Sequence, residues 1–324
     1  MLNRPLDILT QFPVRKSKAQ KQAFRDAVQT YLERMEYSVA VEEGRFGSRN
    51  LVIGDPEKAK YLVTAHYDTC AGLPFPNLLT PFNPVLFVLY QVFLAMILAV
   101  LPLLISGALV LLAGALWGST EEGTALVILI WFFGFLLLYI LSFALVYLGP
   151  ANKHNANDNT SGVVALLEIA RTLPEIHRHK VCFVLFDLEE KGLLGSRAYR
   201  KAHKEASDRQ LVLNLDCVGD GDYIRMIPTN LLKKDRKRLT SLYKACGYVG
   251  KKSILIHEKG FGIYPSDQKH FPYGVGICAL RKHKLSFYLG RIHTKKDTIL
   301  DEENVNILRA ALTSFITCDN CRGE

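Results

Sequence analysis

The chain has 324 residues, 49% of them hydrophobic, and carries 40 Lys and Arg against 31 Asp and Glu, a formal charge of +9. That length holds one large domain or two small ones, with ample apolar content for a buried core. The basic residues are scattered without interleaved aromatics, which argues against a nucleic-acid partner, and seven cysteines at irregular spacing argue against a disulfide framework and fit a reducing compartment.

The N-terminus bears charge from Arg4 onward and no apolar run of signal-peptide length, so it does not read as a secretory leader. Phe24, Val28, Tyr31 and Leu32 recur at helical spacing and predict an amphipathic helix within residues 18–36, followed by short strands at 37–41, 50–53 and 61–65. No Lys or Arg lies between Lys60 and Lys153. Within that interval residues 85–117 and 124–149 are almost wholly apolar, separated by Ser119-Thr120-Glu121-Glu122-Gly123. As helices they reach about 50 and about 39 Å, beyond a hydrocarbon core of roughly 30 Å, so tilt or a kink at Pro102 is expected. The expectation is a transmembrane hairpin, residues 81–149, inserted into a discontinuous domain of residues 1–80 and 150–324; a buried core hairpin is the alternative that length and purity disfavour.

Beyond the hairpin, helix and strand alternate: helix 161–173, strand 180–188, helix 192–206, strand 210–215, strands 253–257 and 275–280, and a closing helix 302–316. This predicts a three-layer α/β fold, a mostly parallel (mixed) sheet with helices on both faces. The densest basic run, Lys233 to Arg238, reads as the solvated face of a helix, with anionic lipid headgroups as the other reading. Cys318 and Cys321 form a lone CxxC in what reads as a free tail.

Several of these elements end in residues suited to chemistry. His66 and Asp68 follow the strand KYLVTA, at the strand end where open α/β sheets bind ligands, and Asp68 is placed to fix the imidazole tautomer. Asp158, in NDNTSG, precedes the helical run VVALLEIA, where a carboxylate either caps the helix or bridges cations. Asp187, Glu189 and Glu190 close the strand VCFVLF, Asp216 closes LVLNL, and His293 sits in the loop RIHTKKDT. Alone, each has a bland reading as a cap, an acidic loop or a surface histidine.

Together, HYDT, NDNTSG, FDLEEKGLLGS, NLDCVG, SDQKHF and HTKKDT, in that order, resemble the di-zinc aminopeptidase family of clan MH, which includes bacterial leucyl aminopeptidases, glutamate carboxypeptidase and glutaminyl cyclases. The resemblance covers the soluble domain from about residue 49 onward. It implies one zinc on His66 and Asp216, a second on Glu190 and His293, Asp158 bridging both, Glu189 as general base and Asp68 orienting His66. Tyr264 is a candidate to hydrogen-bond the oxyanion. Where the family commonly has His after Ser-Asp, this chain has Gln268.

The implied activity is hydrolysis of N-terminal peptide bonds of short peptides. The alternatives are a glutaminyl-cyclase-like aminoacyltransferase and a non-catalytic receptor or scaffold on the same fold. His66 precedes the apolar stretch and Asp158 follows it, so a shared metal centre requires an even number of crossings, here two. Lys58, Lys60 and Lys153 flank a hairpin whose connection is acidic, which places the catalytic domain in the cytoplasm by the positive-inside rule. Oligomeric state is left open.

Overall fold

The computed structural model describes residues 2–117, 121–246 and 252–318. Ser119 and Thr120 of the acidic connection and Cys321 of the CxxC lie outside the described residues. The chain divides into two compact units, residues 1–83 with 151–324, and residues 84–150.

In the larger unit the strands are β1 (Val39–Glu43), β2 (Arg49–Ile53), β3 (Tyr61–His66), β4 (Val181–Phe186), β5 (Leu211–Leu215), β6 (Tyr223–Pro228), β7 (Ile254–Ile256), β8 (Gly274–Lys282) and β9 (Phe287–Tyr288). They form one mixed sheet in the order β1-β2-β4-β3-β5-β8-β6-β7, with β9 on β8. The centre, β4-β3-β5-β8, is parallel, while β2 joins β4 and β6 joins β8 antiparallel. Every residue of β3, β4 and β5 is buried, which explains why their runs are apolar apart from Thr64, Asn214 and the closing His66: helices cover both faces.

The helices are α1 (Ile8–Gln11), α2 (Lys18–Glu33), the pair α3 (Pro84–Trp117) and α4 (Glu121–Leu148) of the smaller unit, α5 (Gly162–Thr172), α6 (Leu194–Ala202), α7 (Lys204–Arg209), α8 (Asn230–Lys234), α9 (Arg236–Cys246) and α10 (Glu302–Thr317). In α2, Ser17 Oγ accepts from Gln20 N and the Gln20 side chain accepts from Ser17 N, a capping box that starts the helix and sets Phe24, Val28, Tyr31 and Leu32 against the core. The predicted helix over 192–206 is instead two, broken at His203, whose ring is held between Glu57 (2.7 Å) and Glu42 (3.0 Å). Strand β6 escapes the sequence pattern because Arg225 and Pro228 interrupt its apolar run. The basic run 233–238 is likewise divided at Asp235, between α8 and α9.

In the smaller unit, residues 84–115 and 123–148 are long and apolar enough to cross a membrane, each with mean hydropathy 2.7. Only 11% and 0% of these windows are buried, unlike the helices of a soluble core. Helix α3 continues through Pro102, and Ser142 Oγ of α4 lies 3.1 Å from Leu98 O of α3.

Where the larger unit is interrupted, its two ends meet: Ala71 forms an antiparallel bridge with Ala151, and Asn152 N donates to Cys70 O (3.2 Å). Cys70, Cys182, Cys217, Cys246 and Cys278 are free and buried. Cys318 is disulfide-bonded, which corrects the expectation of a free tail.

A buried polar chain stitches β3 to β5 and to the loop before β8. Thr64 Oγ1 donates to Asn214 Oδ1 (2.7 Å), and Asn214 Nδ2 donates to Ser266 Oγ (2.9 Å) and Gln268 Oε1 (3.1 Å). Asn214→Leu keeps the volume but strands these partners in an apolar interior. It is expected to cost about 1–3 kcal/mol, measured as a fall in thermal midpoint larger than that of the exposed control Asn3→Leu.

Candidate metal centre

Three parallel strands deliver acids and a histidine to one edge of the sheet. His66 ends β3, Glu189 and Glu190 follow β4, Asp216 follows β5, and Asp158 sits in the turn before α5. His293 arrives from the loop before α10. His66, Asp158 and Asp216 are buried, and His293 is 27% exposed.

Asp158 lies at the centre of the cluster and its two oxygens face different imidazoles. Oδ1 is 3.2 Å from His66 Nε2, and Oδ2 is 2.9 Å from His293 Nε2. His66 Nε2 is also 3.7 Å from Asp216 Oδ1, and His293 Nε2 is 3.4 Å from Glu190 Oε2. Two donors each about 2 Å from a tetrahedral zinc stand roughly 3.3 Å apart. His66, Asp158 and Asp216 therefore have the donor types and spacing of a metal site, and Glu190 and His293, with Cys70, form a neighbouring group of the same kind. Glu190 Oε1 is buried without any hydrogen-bond partner, as a ligand atom awaiting a cation would be.

Crowding of like charges shows in the proton affinities. Burial and the neighbouring carboxylates push Glu190 up to about 8, against the pull of His293, and push Glu189 well above the usual range. Burial works against protonation of His293, yet Glu190 and Asp158 outweigh it and raise the imidazole to about 9; for His66 the surrounding acids likewise outweigh burial. Asp158, between two imidazoles, is held low despite its burial. Such a cluster favours bound cations.

The backbone around these side chains is fixed by groups that sequence reasoning left without a role. Asp297, the Asp of HTKKDT, accepts from Asn157 N (2.7 Å) and Asp158 N (3.0 Å), fixing the turn that presents Asp158. Asn157 Oδ1 accepts from Gly219 N (2.7 Å) and Asp220 N (3.0 Å), and Asn159 joins Leu215 O to Cys217 N, so the NDN turn grips the segment carrying Asp216. Leu188, Cys217 and His293 adopt positive φ (56°, 55° and 60°), sparsely populated conformations adjacent to or at the cluster residues. The Asp158–Asn159 peptide is cis. Arg15, fully buried, donates to Tyr67 O, and Asp68, Asp158 and Asp297 act on it electrostatically. Cys70 also stands beside Glu190 and His293 as a further donor.

Three expectations change in detail. Asp68 turns its carboxylate toward Glu189 N (3.0 Å) and Glu190 N (3.3 Å), while its main-chain oxygen is the nearer contact of His66 Nδ1 (3.2 Å against 3.6 Å for Oδ1). Its carboxylate thus orients the acidic pair more than the imidazole. Asp187 leaves the cluster for Lys21 (2.7 Å). Tyr264 is buried and gives its hydroxyl proton to Asp216 O (3.0 Å), while Gln268 Nε2 donates to Tyr264 O (2.7 Å), so Gln268 serves as a brace behind the site.

With this geometry in place, known proteins provide a frame. Over 67 residues the chain is 43% identical to aminopeptidase YwaD of Bacillus subtilis, a stretch that is 20% of this chain and spans 15% of that relative. The crystal structure of LapA aminopeptidase from Legionella pneumophila is similar with TM-score 0.56 and 16% identity, covering 96% of this chain and 67% of that one. Glutaminyl cyclase from Porphyromonas gingivalis gives 0.55 and 16%, covering 94% and 92%. At such identity these likenesses show a common fold. The model of peptidase family M28 matches residues 145–315, more than half of the sequence and the part that contains Asp158, Glu190, Asp216 and His293; the chain belongs to peptidase family M28.

Proposed function

We propose that this chain is a membrane-anchored aminopeptidase with two zinc ions, one on His66 and Asp216, the other on Glu190 and His293, and Asp158 shared between them. The observation that carries the reading is the division of Asp158's oxygens between His66 and His293 at 3.2 and 2.9 Å. Membership of the M28 family and the aminopeptidase name of the Bacillus subtilis relative supply the reaction class. The two long apolar helices supply the anchor.

Zinc, when bound, lowers the pKa of water toward neutrality and polarises a carbonyl. The chain's own groups then manage geometry and protons. Glu189 is the general base: its carboxylate takes a proton from the attacking water and delivers it to the leaving amine. Asp68 fixes the main chain of Glu189 and Glu190. Tyr264, bound to Asp216 O, would act through the backbone of a residue that would hold zinc rather than by donating to the oxyanion.

Glu189→Gln is expected to lower kcat on an aminoacyl anilide by about 10²–10⁴-fold with zinc content unchanged, measured by steady-state kinetics and metal analysis on the same sample. A glutaminyl substrate cyclised rather than hydrolysed would decide for the aminoacyltransferase instead. Asp158→Asn should reduce bound zinc; a full complement of metal in that variant would refute the bridging role.

The metal-free protein should also have a particular pH dependence. Glu190 and Asp297, both pushed up to about 8, retain protons that their unfolded counterparts shed near pH 4, and His293, raised to about 9, retains one shed near 6.5. In that interval the folded state binds more protons, so its stability falls as pH rises. Zinc displaces these protons. Thermal scans from about pH 5 to about pH 9 should show the gap between zinc-loaded and chelator-treated protein widening with pH; a constant gap would contradict the assignment.

We place the catalytic domain in the cytoplasm, on the strength of Lys58, Lys60 and Lys153 flanking the hairpin. The five free cysteines among the described residues are buried, so sidedness is best read from a cysteine introduced at the exposed Lys201. It should escape an impermeant maleimide in intact cells and react after permeabilisation.

A further inference from the structure

Of the five free, buried cysteines among the described residues, four are packed as small apolar groups. Cys246 lies in the main apolar core, Cys182 in the cluster that holds Phe186 and Phe271, and Cys217 and Cys278 in the cluster that holds Leu280. Cys70 belongs to none of these clusters among the described residues. Its sulfur, a carboxylate oxygen of Glu190 and a ring nitrogen of His293 lie within 4.8 Å of one another.

The main chain holds Cys70 at that point. It lies in the segment that closes the interrupted unit: Cys70 O accepts from Asn152 N (3.2 Å), Ala71 bridges to Ala151, and Leu73 N donates to His293 O (2.7 Å). The segment is thereby tied to the His293 loop itself. Cys70 is 5% exposed, and its thiol reaches Asn155 Oδ1 at 3.7 Å, a long contact for a weak donor, so little is lost when the sulfur turns to a cation. Glu190 Oε1, in the same group, is buried without a hydrogen-bond partner. Around a tetrahedral zinc, a sulfur and a nitrogen donor stand roughly 3.5 Å apart, so closure of the three on one ion asks for shifts of about an ångström.

We propose that Cys70 Sγ is a ligand of the cation held by Glu190 and His293, which makes that half of the centre a sulfur, nitrogen and oxygen site. The inference rests on the two-metal reading and extends it. Forming the metal–sulfur bond releases the thiol proton to water. With Glu190, His293 and the shared Asp158, Cys70 completes four protein donors, the closed set of a structural zinc, and leaves the open position to the His66 side. A thiolate also favours zinc over magnesium and manganese, which prefer oxygen donors.

The test is X-ray absorption at the zinc edge, with metal analysis, on the full zinc-loaded chain in nanodiscs under reductant. A sulfur shell at about 2.3 Å, amounting to about one sulfur for two zinc ions, is expected in wild type and in Cys217→Ser. It should vanish in Cys70→Ser and in Cys70→Ala. Both Cys70 variants should also give up one zinc at a chelator concentration lower by roughly tenfold or more, and hold the other as wild type does. Wild type with two zinc ions and no sulfur shell overturns the proposal and leaves the two-metal reading standing, as does a shell that persists in both Cys70 variants. Wild type that binds no zinc defeats both.

Discussion

Carboxylates crowded at the carboxyl ends of adjacent strands can share so small a volume only if positive charge lies among them. That constraint governs the catalytic unit. Asp68, Asp158, Glu189, Glu190, Asp216 and Asp297 meet two imidazoles and one buried guanidinium. This cationic complement leaves Glu190 and Asp297 gripping protons near neutral pH. The arrangement is costly for a bare protein and well suited to one that holds divalent metal, and the surrounding structure keeps it from relaxing. Asp297 and Asn157 fasten the turn bearing Asp158, Asp68 fastens the acidic pair, and the polar chain from Thr64 through Asn214 to Gln268 and Tyr264 fastens the backbone behind Asp216.

Much of this was legible in the sequence because strand ends announce themselves. The runs KYLVTA, VCFVLF and LVLNL are largely apolar, since each strand is buried on both faces, and each gives way to a polar residue, His66, Asp187 or Asp216. The supporting groups were less visible. Asn157, Asn159 and Asp297 act through the backbone amides of residues distant in sequence, and a hydrogen bond to a main-chain N–H leaves no mark on residue type at the partner position. Arg15 is the extreme case: a charged residue near the N-terminus reads as surface, yet it is fully buried behind the cluster. Strand β6 and the break at His203 were missed for a related reason, because tertiary partners overrode the local pattern.

The two ends of the sheet divide labour by charge. The candidate metal ligands gather where strands finish, and basic side chains such as Lys60 and Lys180 stand where the same strands begin. Strand β3 belongs to both, with Tyr61 at the basic end and His66 in the acid cluster. A fully buried strand of six residues is thus the common wall of two chemically opposite environments. Its rigidity matters more to each than any single contact.

The bridge between Ala71 and Ala151 bears on how such a chain folds. A segment that departs and returns through neighbouring residues asks the rest of the unit to close one loop, and the entropy of closing a loop grows only logarithmically with its length, about 0.6 kcal/mol for each doubling. Sheet formation in the larger unit is therefore nearly indifferent to what the loop contains. A short linker in place of residues 84–150 would leave β3 and α5 facing the same closure problem at slightly lower cost, and the clustered His66 and Asp158 on either side would still be drawn together by the sheet itself.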